Sequence, residues 1–350
     1  MKSFTMKQKI RTIIRRRLSF AEGLLKPVYS KFYLLLHKEE KEQRIHLGEI
    51  ETDKPVYIIR INNRHGGLFS LFDSVLSHIN YCEKKDWIPV VDLKNYPNNY
   101  LLDEEIGHIN VWDIFFKQPS SVCGDGLSLE EAYHCKNAIL SCSRPTLPGS
   151  NLSASTIDNV IEFARYSFLY NKYIRLNDRV MSELDRYTQK YIGNARVLGV
   201  FLRGTDYILS RPYGHPIQPT IEEVIDLVRE KRNEWKIDKI YLSTEDATYV
   251  RRFCAEFPGR VIVFDRKYIS VDETTKSSTV FEQINKSVID SNYSLRDVGS
   301  DYFYSSLLLT RCSSVILSRT GITPFLLFDN KYENYYVWDK GLYGINEKRR

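Results

Sequence analysis

Charged and hydroxyl side chains follow an apolar run near the middle of the sequence. VLGVFL (residues 197–202) is continuous and apolar, as is typical of a strand covered on both faces, and it ends in Arg203, Gly204 and Thr205. An arginine is costly to bury unless it meets an anion, and ligands of open α/β sheets collect at the carboxyl ends of the strands. The sequence therefore predicts that Arg203 binds either a ligand anion or a carboxylate of its own chain.

Two later strand ends carry polar residues of the same kind. YLSTED ends one predicted strand with Thr244, Glu245 and Asp246, and ILSRTG ends the last with Ser318, Arg319, Thr320 and Gly321. Hydroxyls and main-chain N–H groups in such segments can cradle a phosphate. An ion pair between Arg203 and Asp206, with an ordinary helix N-cap at residues 244–246, would explain the same residues structurally. Three polar clusters at successive strand ends favour a binding site.

Predicted strands and helices alternate along the chain. KPVYIIRI (54–61) is followed by a glycine loop with Asn63, Gly66 and Gly67, then a helical period and a strand, WIPVVDL (87–93). The second half repeats this alternation, which predicts parallel sheets with right-handed crossovers. We expect an α/β fold of two Rossmann-like domains, 51–191 and 192–350, that face each other across a cleft and follow a basic tail, 1–50.

The positive charge of the chain is confined to its first residues. Residues 1–47 hold twelve Lys or Arg and four Glu, out of 50 basic and 44 acidic residues in all, so the rest holds 38 and 40. Because a nucleic-acid-binding domain concentrates positive charge on its folded part, nucleic acid is not expected as a partner. Six scattered cysteines without metal-ligand spacing, and no signal peptide, predict a cytoplasmic protein.

The basic opening leaves two interpretations. In residues 1–20, Ile10, Ile13, Ile14 and Leu18 recur at helical spacing between Lys and Arg residues, a pattern typical of a helix on an anionic membrane surface. A solvated tail, or a helix packed on its own domain, would have the same pattern. The first interpretation predicts peripheral association with the inner face of the cell membrane.

Several familiar site motifs are missing. The sequence has no G-x-G-x-x-G after a strand, no P-loop, no G-x-S-x-G and no H-E-x-x-H. It also lacks a D-x-D pair, with which metal-dependent sugar transferases hold a divalent cation on a diphosphate. If a diphosphate binds, fixed positive charge and main-chain donors must neutralise it, so no metal and no cofactor is expected.

GVFLRGTDY (199–207) resembles the H-x-R-[RG]-x-D motif of the superfamily of α-1,2-, α-1,6- and protein O-fucosyltransferases. The later order resembles it too: a strand with T-E-D, a strand, a helix ending in LLLTRC, a strand and a Ser/Thr loop. NNRHGGLFSLFDSVLSHINYCEKKDWIPVVDL resembles bacterial polysaccharide-biosynthesis relatives. The resemblance covers residues 54–340. It implies a GT-B fold in which Arg203 binds the β-phosphate of GDP-fucose without a metal.

The chain departs from the family at two positions. The histidine two residues before the arginine is Phe201, and the helical aspartate that reads guanine is replaced at the matching turn by Ser305, with Asp301 one turn earlier. The resemblance carries over Arg203 and Ser318 to Gly321, with Asp301 as the candidate for guanine. At Phe201, a guanine or ribose contact of the family is therefore missing or supplied by another residue.

We therefore expect a metal-independent glycosyltransferase, with GDP-fucose as donor and a glycan or lipid-linked glycan of surface polysaccharide as acceptor. Candidates for the general base are His65, Asp92 and Asp206. The loop SRPYGHPIQP (210–219), with Tyr213 and His215, is expected to form a lid or an acceptor wall. Two alternatives stay open: a non-catalytic sugar-nucleotide-binding protein, and another α/β enzyme acting on a phosphorylated small molecule.

The missing D-x-D pair predicts that chelation leaves the reaction unaffected. Release of GDP from GDP-fucose should proceed at the same rate in excess EDTA as in its absence, because arginine and main-chain donors take the place of a cation. Full loss of activity in EDTA with recovery in manganese would contradict this prediction.

Overall fold

The computed structural model describes residues 42–45, 48–63, 66–143, 152–270, 293–329 and 331–345. These residues form two sheets and the helices around them. The strands are β1 (Gln43–Ile45), β2 (Val56–Arg60), β3 (Ile88–Asp92), β4 (Ala138–Leu140), β5 (Val197–Phe201), β6 (Lys239–Ser243), β7 (Val261–Val263), β8 (Ser314–Leu317) and β9 (Asn334–Val337). Residues 1–41 of the predicted basic tail, with the membrane contact predicted for residues 1–20, lie outside the described residues, whereas residues 43–45 of that tail form β1 of the first sheet.

Helices follow most of the strands. They are α1 (Leu68–Lys85), α2 (Val111–Phe115), α3 (Pro119–Val122), α4 (Leu129–Tyr133), α5 (Val160–Tyr173), α6 (Asp178–Tyr187), α7 (Thr205–Ser210), α8 (Ile221–Glu234), α9 (Ala247–Glu256), α10 (Leu295–Leu307) and α11 (Ile322–Phe328). Short 3₁₀ turns cover Asp103–Glu105, Thr156–Asp158 and Leu308–Arg311, and a π turn, Thr188–Ile192, continues α6. No helix in the described part of the chain is both long enough and apolar enough to cross a membrane.

The second sheet is the regular one. Its order is β7-β6-β5-β8-β9, and every neighbouring pair is parallel. β5 lies at its centre, and all five of its residues are buried, as its unbroken apolar sequence predicts. The polar residues after β5, β6 and β8 therefore meet at one edge of the sheet.

The first sheet has the order β1-β4-β2-β3, and β1 is antiparallel to β4 while the other pairs are parallel. The predicted strands at 54–61 and 87–93 are β2 and β3. The glycine loop joins β2 to α1, which returns the chain to β3. The α/β fold with two parallel sheets across a cleft is thus confirmed, with one antiparallel edge strand that the sequence did not indicate.

Side-chain caps start several of the helices. Thr220 and Glu223 form the capping box predicted from their spacing, and α8 begins at the next residue, Ile221. Asn159 caps α5 by accepting the main-chain N–H groups of Ile161 and Glu162, and Asn177 caps α6 by accepting that of Val180. These local signals fix where the helices of both halves begin.

One aromatic cluster joins the two halves of the molecule. Phe69 and Phe72 of α1 pack on Phe325 of α11, with ring centroids 5.1 and 5.2 Å apart, and Phe69 stacks on Phe303 of α10 at 6.0 Å. All four rings are almost completely buried. Because burial of such rings is the main favourable term in folding, this cluster holds α1 firmly against the second half. The domain boundaries predicted near residue 192 stay a prediction.

Gly199, in the centre of β5, is a position where only glycine fits. A Cβ there would lie 2.9 Å from Leu309 Cδ2 and 3.1 Å from both Cys312 Sγ and Val315 Cγ1. Gly199→Ala should therefore lower the free energy of unfolding by about 1–3 kcal/mol, the usual cost of overpacking, seen as a lower urea midpoint. Gly67→Ala is the matched control, because its Cβ would enter open space at an ordinary φ of −68°. Equal midpoints for the two variants would contradict the prediction.

Candidate active site

A cavity of about 800 Å³ lies between the two halves and takes its walls from both. On one side it is lined by the glycine loop, by α1 and by residues 152–155. On the other it is lined by the residues that follow strands β5 to β8, by the loop at 214–216 and by α10. Its volume is that of a typical small-molecule or cofactor site, and it lies at the carboxyl ends of the strands, where ligands of α/β folds bind.

Arg203 projects into this cavity from the end of β5. Its side chain is 27% exposed, and its guanidinium carbon lies 5.7 Å from the ring centroid of Tyr207 and 5.9 Å from that of Tyr302. Cation–π contacts at these distances hold a planar guanidinium in a defined orientation. Arg203 is therefore a positioned cation with one accessible face in the cavity.

The polar residues after β5 and β6 interlock. Glu245 Oε1 accepts a hydrogen bond from the Gly204 main-chain N–H at 2.9 Å and lies 3.7 Å from Arg203 Nε. Position 204 must be glycine, because a Cβ there would lie 2.8 Å from Asp246 Oδ2. Asp246 in turn caps α9 through the N–H groups of Thr248 and Tyr249. The R-G and T-E-D motifs thus form one unit that orients Arg203. The carboxylate beside Arg203 is that of Glu245, while the predicted ion pair with Asp206 involves a side chain outside the described residues, and the ligand anion stays a prediction.

Two further residues belong to this wall: Arg266, which was not predicted from the sequence, and Thr320, which was. Arg266, in the segment after β7, lines the cavity; its Nη1 donates to Ser305 Oγ at 3.5 Å, and its buried Nε has no hydrogen-bond partner among the described residues. Thr320 also lines the cavity, and its buried Oγ1 likewise has no partner in the described part of the chain. Buried polar atoms are normally paired, so these two suit a ligand that supplies acceptors and donors.

Asp73, on α1, faces the cavity from the opposite side and was missed. It is 9% exposed, its Oδ1 is buried without a hydrogen-bond partner among the described residues, and its Oδ2 lies only 3.1 Å from where a Cβ on Gly321 would be. Burial raises the pKa of this carboxyl well above its usual range. The available signal was that Asp73 is the one charged residue between Leu68 and Cys82 of an otherwise apolar and neutral helix.

The structure brings together much of the predicted site. Arg203, Glu245, Thr320, Gly321, Asn63, Gly66, Gly67 and His215 all line the cavity. Gly66 leaves no room for a side chain, because a Cβ would collide with the amide of Asn63. The loop at 210–219 forms a wall of the cavity through Gly214, His215 and Pro216, and it is tied by main-chain bonds to residues 341–343. Tyr213 lies outside the lining and packs beside Gly344.

Other predicted residues have structural partners away from the lining. Arg319 lies 2.5 Å from Asp158 and 3.6 Å from Asp339, so its guanidinium meets carboxylates of its own chain. Asp92 is fully buried and accepts hydrogen bonds from the main-chain N–H groups of Lys94 and Asn95 and from the Tyr133 hydroxyl. Gly204, Thr244, Asp246, Asp301 and Ser318 also lie outside the lining.

Three predicted residues are not placed in full. His65 lies outside the described residues, and of Thr205 and Asp206 the structure describes the main chain of α7 but not the side chains. Within the described part of the chain, no three His, Cys, Asp or Glu residues come together as metal ligands. The absence of a metal requirement stays a prediction.

Comparison with solved structures identifies the fold. A structure of POFUT1 in its apo form matches with a TM-score of 0.52 at 8% identity, covering 83% of this chain and 99% of that one. POFUT1 in complex with GDP matches at 0.50 and 9%, covering 82% and 99%. The α-1,6-fucosyltransferase NodZ co-crystallised with GDP matches at 0.44 and 15%, covering 76% and 88%. No family model matches the sequence, and no curated protein matches it.

The two POFUT1 similarities confirm the GT-B-like fold. Because the identities are 8% and 9%, they concern the fold, and the resemblance of the arginine motif to the fucosyltransferase superfamily stays a prediction.

Asp73 should make the stability of the protein depend on pH. Because its pKa is raised in the folded state, folded chains retain a proton that unfolded chains lose above about pH 4, so stability falls as pH rises through this range towards the folded-state pKa. Asp73→Asn should match the wild type near pH 4 and exceed it increasingly at higher pH, by on the order of 1–3 kcal/mol. Thermal unfolding of both proteins from pH 4 to 8 measures this; a constant difference would contradict it.

Proposed function

We propose that the protein is a metal-independent glycosyltransferase that uses a nucleoside-diphosphate sugar, GDP-fucose in the first place. The observation that carries this proposal is the cavity itself, in which two guanidinium groups and a buried hydroxyl lie opposite a face of α1 that carries Asp73 and three serines. The wall that carries the guanidinium groups suits a diphosphate, and the wall formed by α1 suits a sugar. The GT-B-like fold, which the chain shares with POFUT1 in complex with GDP, supports the choice of a guanosine diphosphate donor.

Arg203 and Arg266 would neutralise the diphosphate. Arg203 is held by Glu245 and two tyrosine rings, so little reorganisation is needed when negative charge develops on the leaving group. Arg266 adds a second cation across the same cavity, and Thr320 adds a hydroxyl. A preorganised donor of this kind contributes roughly 3–4 kcal/mol to lowering a barrier.

Arg266, which lines the cavity, and Asp301, which lies outside the lining and interacts with the charge of Arg266, support guanine as the base. Asp301 accepts a hydrogen bond from the Tyr293 hydroxyl, and the positive charge of Arg266 partly offsets the rise that burial causes in the pKa of this carboxyl. Guanine presents N–H donors, which match a carboxylate, beside O6 and N7 acceptors, which match a guanidinium. Ser305, which stands where the family has an aspartate, supports Arg266 instead.

A glycan or lipid-linked glycan of surface polysaccharide is the proposed acceptor. The serine-bearing face of α1 and the wall formed by Gly214, His215 and Pro216 bound the part of the cavity that the diphosphate does not need. In a bacterial setting such acceptors are assembled at the inner face of the cell membrane, where the basic residues 1–20 would hold the enzyme near its substrate.

Arg203→Lys tests the proposal. A point charge cannot replace bidentate recognition or stacking, so we expect release of GDP from GDP-fucose to fall about 10²–10³-fold and GDP binding to weaken, with an unchanged melting temperature in the absence of ligand. Calorimetry with GDP, UDP and CDP measures the affinity and the base preference.

Arg60→Lys is the matched control, because Arg60 also ends a strand but is bound to the Ser141 carbonyl and the Tyr96 hydroxyl away from the cavity. This variant should lose stability and retain GDP affinity. Normal turnover by Arg203→Lys would make Arg203 a structural residue and contradict the proposal. GDP-fucose binding without turnover in the wild type would instead support the non-catalytic alternative.

A further inference from the structure

One carboxyl group among the described residues of the cavity lining makes no ion pair within the described part of the chain. Of the described residues that line it, Asp73 and Glu245 are acidic. Glu245 accepts the Gly204 N–H and lies beside Arg203, so its role is to position the arginine. Asp73 has no ion pair in the described part of the chain, and its Oδ1 has no hydrogen-bond partner there. A buried acid in this state costs stability, so a function must account for it.

The surroundings of Asp73 suit a hydroxyl compound rather than an anion. Ser70, Ser74 and Ser77 lie on the same face of α1 and also line the cavity. Ser74 Oγ donates to the Ser70 carbonyl, and Ser77 Oγ donates to the Asp73 carbonyl and accepts the Leu152 main-chain N–H. Small side chains at these positions leave room beside the carboxyl for a sugar ring.

Among the described residues, Asp73 has no ion pair that would compete for its proton. Gly321 lies beside its Oδ2, and the other described residues that line this part of the cavity, Thr320 and residues 152–155, are uncharged. The charged groups that share the cavity are Arg203, Glu245 and Arg266, with His215 and the tyrosines 100, 207 and 302 as further titratable groups. Burial alone accounts for the raised pKa of Asp73.

We propose that Asp73 binds the acceptor hydroxyl through Oδ2 and takes its proton during transfer. This inference rests on the proposed function. It assigns the general base, a role for which the sequence predicted only candidates. The acceptor oxygen forms a bond to the anomeric carbon while the bond from that carbon to the diphosphate oxygen breaks. The electron pair of the broken bond leaves with the diphosphate, which Arg203 and Arg266 neutralise, and the hydroxyl proton moves to the Asp73 carboxylate.

The raised pKa gives this step a recognisable pH dependence. Asp73 accepts a proton only when ionised, so kcat/KM should fall as pH is lowered through its pKa and level off above it. A purely structural carboxyl would not produce such a limb. Release of GDP from GDP-fucose, with water and with free monosaccharides as acceptors, supplies the measurement.

Asp73→Asn and Asp73→Ser are the test variants. We expect each to lower kcat about 10²–10⁴-fold, to remove the acidic limb of the pH profile, and to keep the Kd for GDP within about threefold of the wild type. Both should fold, because neither places a charge in the buried position. Asp113→Asn is the matched control: desolvation also raises the pKa of Asp113, but Asp113 is held by Asn110 and Gln118 outside the cavity lining.

The outcomes separate this inference from the function on which it rests. Wild-type protein that neither binds GDP nor releases it from GDP-fucose would overturn the proposed function, and the role of Asp73 with it. If the wild type releases GDP and both Asp73 variants keep its kcat and the acidic limb of its pH profile, the role of Asp73 alone is overturned. Loss of GDP affinity in parallel with kcat would assign Asp73 to donor binding and overturn its role as the base.

Discussion

The aromatic contact between α1 and the second half of the chain is the constraint on which the site depends. Asp73 lies on the same helix as Phe69 and Phe72, whose rings are fixed against Phe303 and Phe325. Because interiors pack at near-crystalline density, this contact sets the distance between α1 and the strand ends to within small limits. The cavity is therefore the space left between two walls that a shared core holds apart.

The regular parts of the fold follow from local sequence. The unbroken apolar run of β5 and the capping box of α8 each specify their element without help from the rest of the chain. The edge strands β1 and β9 were not predicted, because their residues are only partly buried and show no clean alternation. Periodicity also fails to give the buried face of α5, where Ile161 and Phe168 are exposed and Tyr166 and Leu169 are buried.

Site residues could be predicted where a sequence motif contains them. They could not be predicted where contacts between distant parts of the chain determine which side chains reach the cavity. Arg203 and Arg319 both follow a buried strand, and the sequence cannot separate them. Arg319 forms ion pairs with Asp158 and Asp339, which lie elsewhere in the sequence, and it does not line the cavity. Asp73 became a candidate only once the fold had placed it at the cavity, because it lies within a helix, away from the strand ends. Arg266 follows β7 in the polar run Asp265–Lys267, and this strand end was not predicted to contribute to the site.

The pairing of Glu245 with Arg203 bears on nucleotide release under the proposed function. A guanidinium that met a diphosphate alone would bind a spent nucleotide as tightly as the donor, and turnover would then stall at dissociation. Glu245 Oε1 lies 3.7 Å from Arg203 Nε and supplies a counter-charge that belongs to the protein itself. This carboxylate would weaken the hold on donor and spent nucleotide alike, while it keeps the guanidinium in place for bond cleavage.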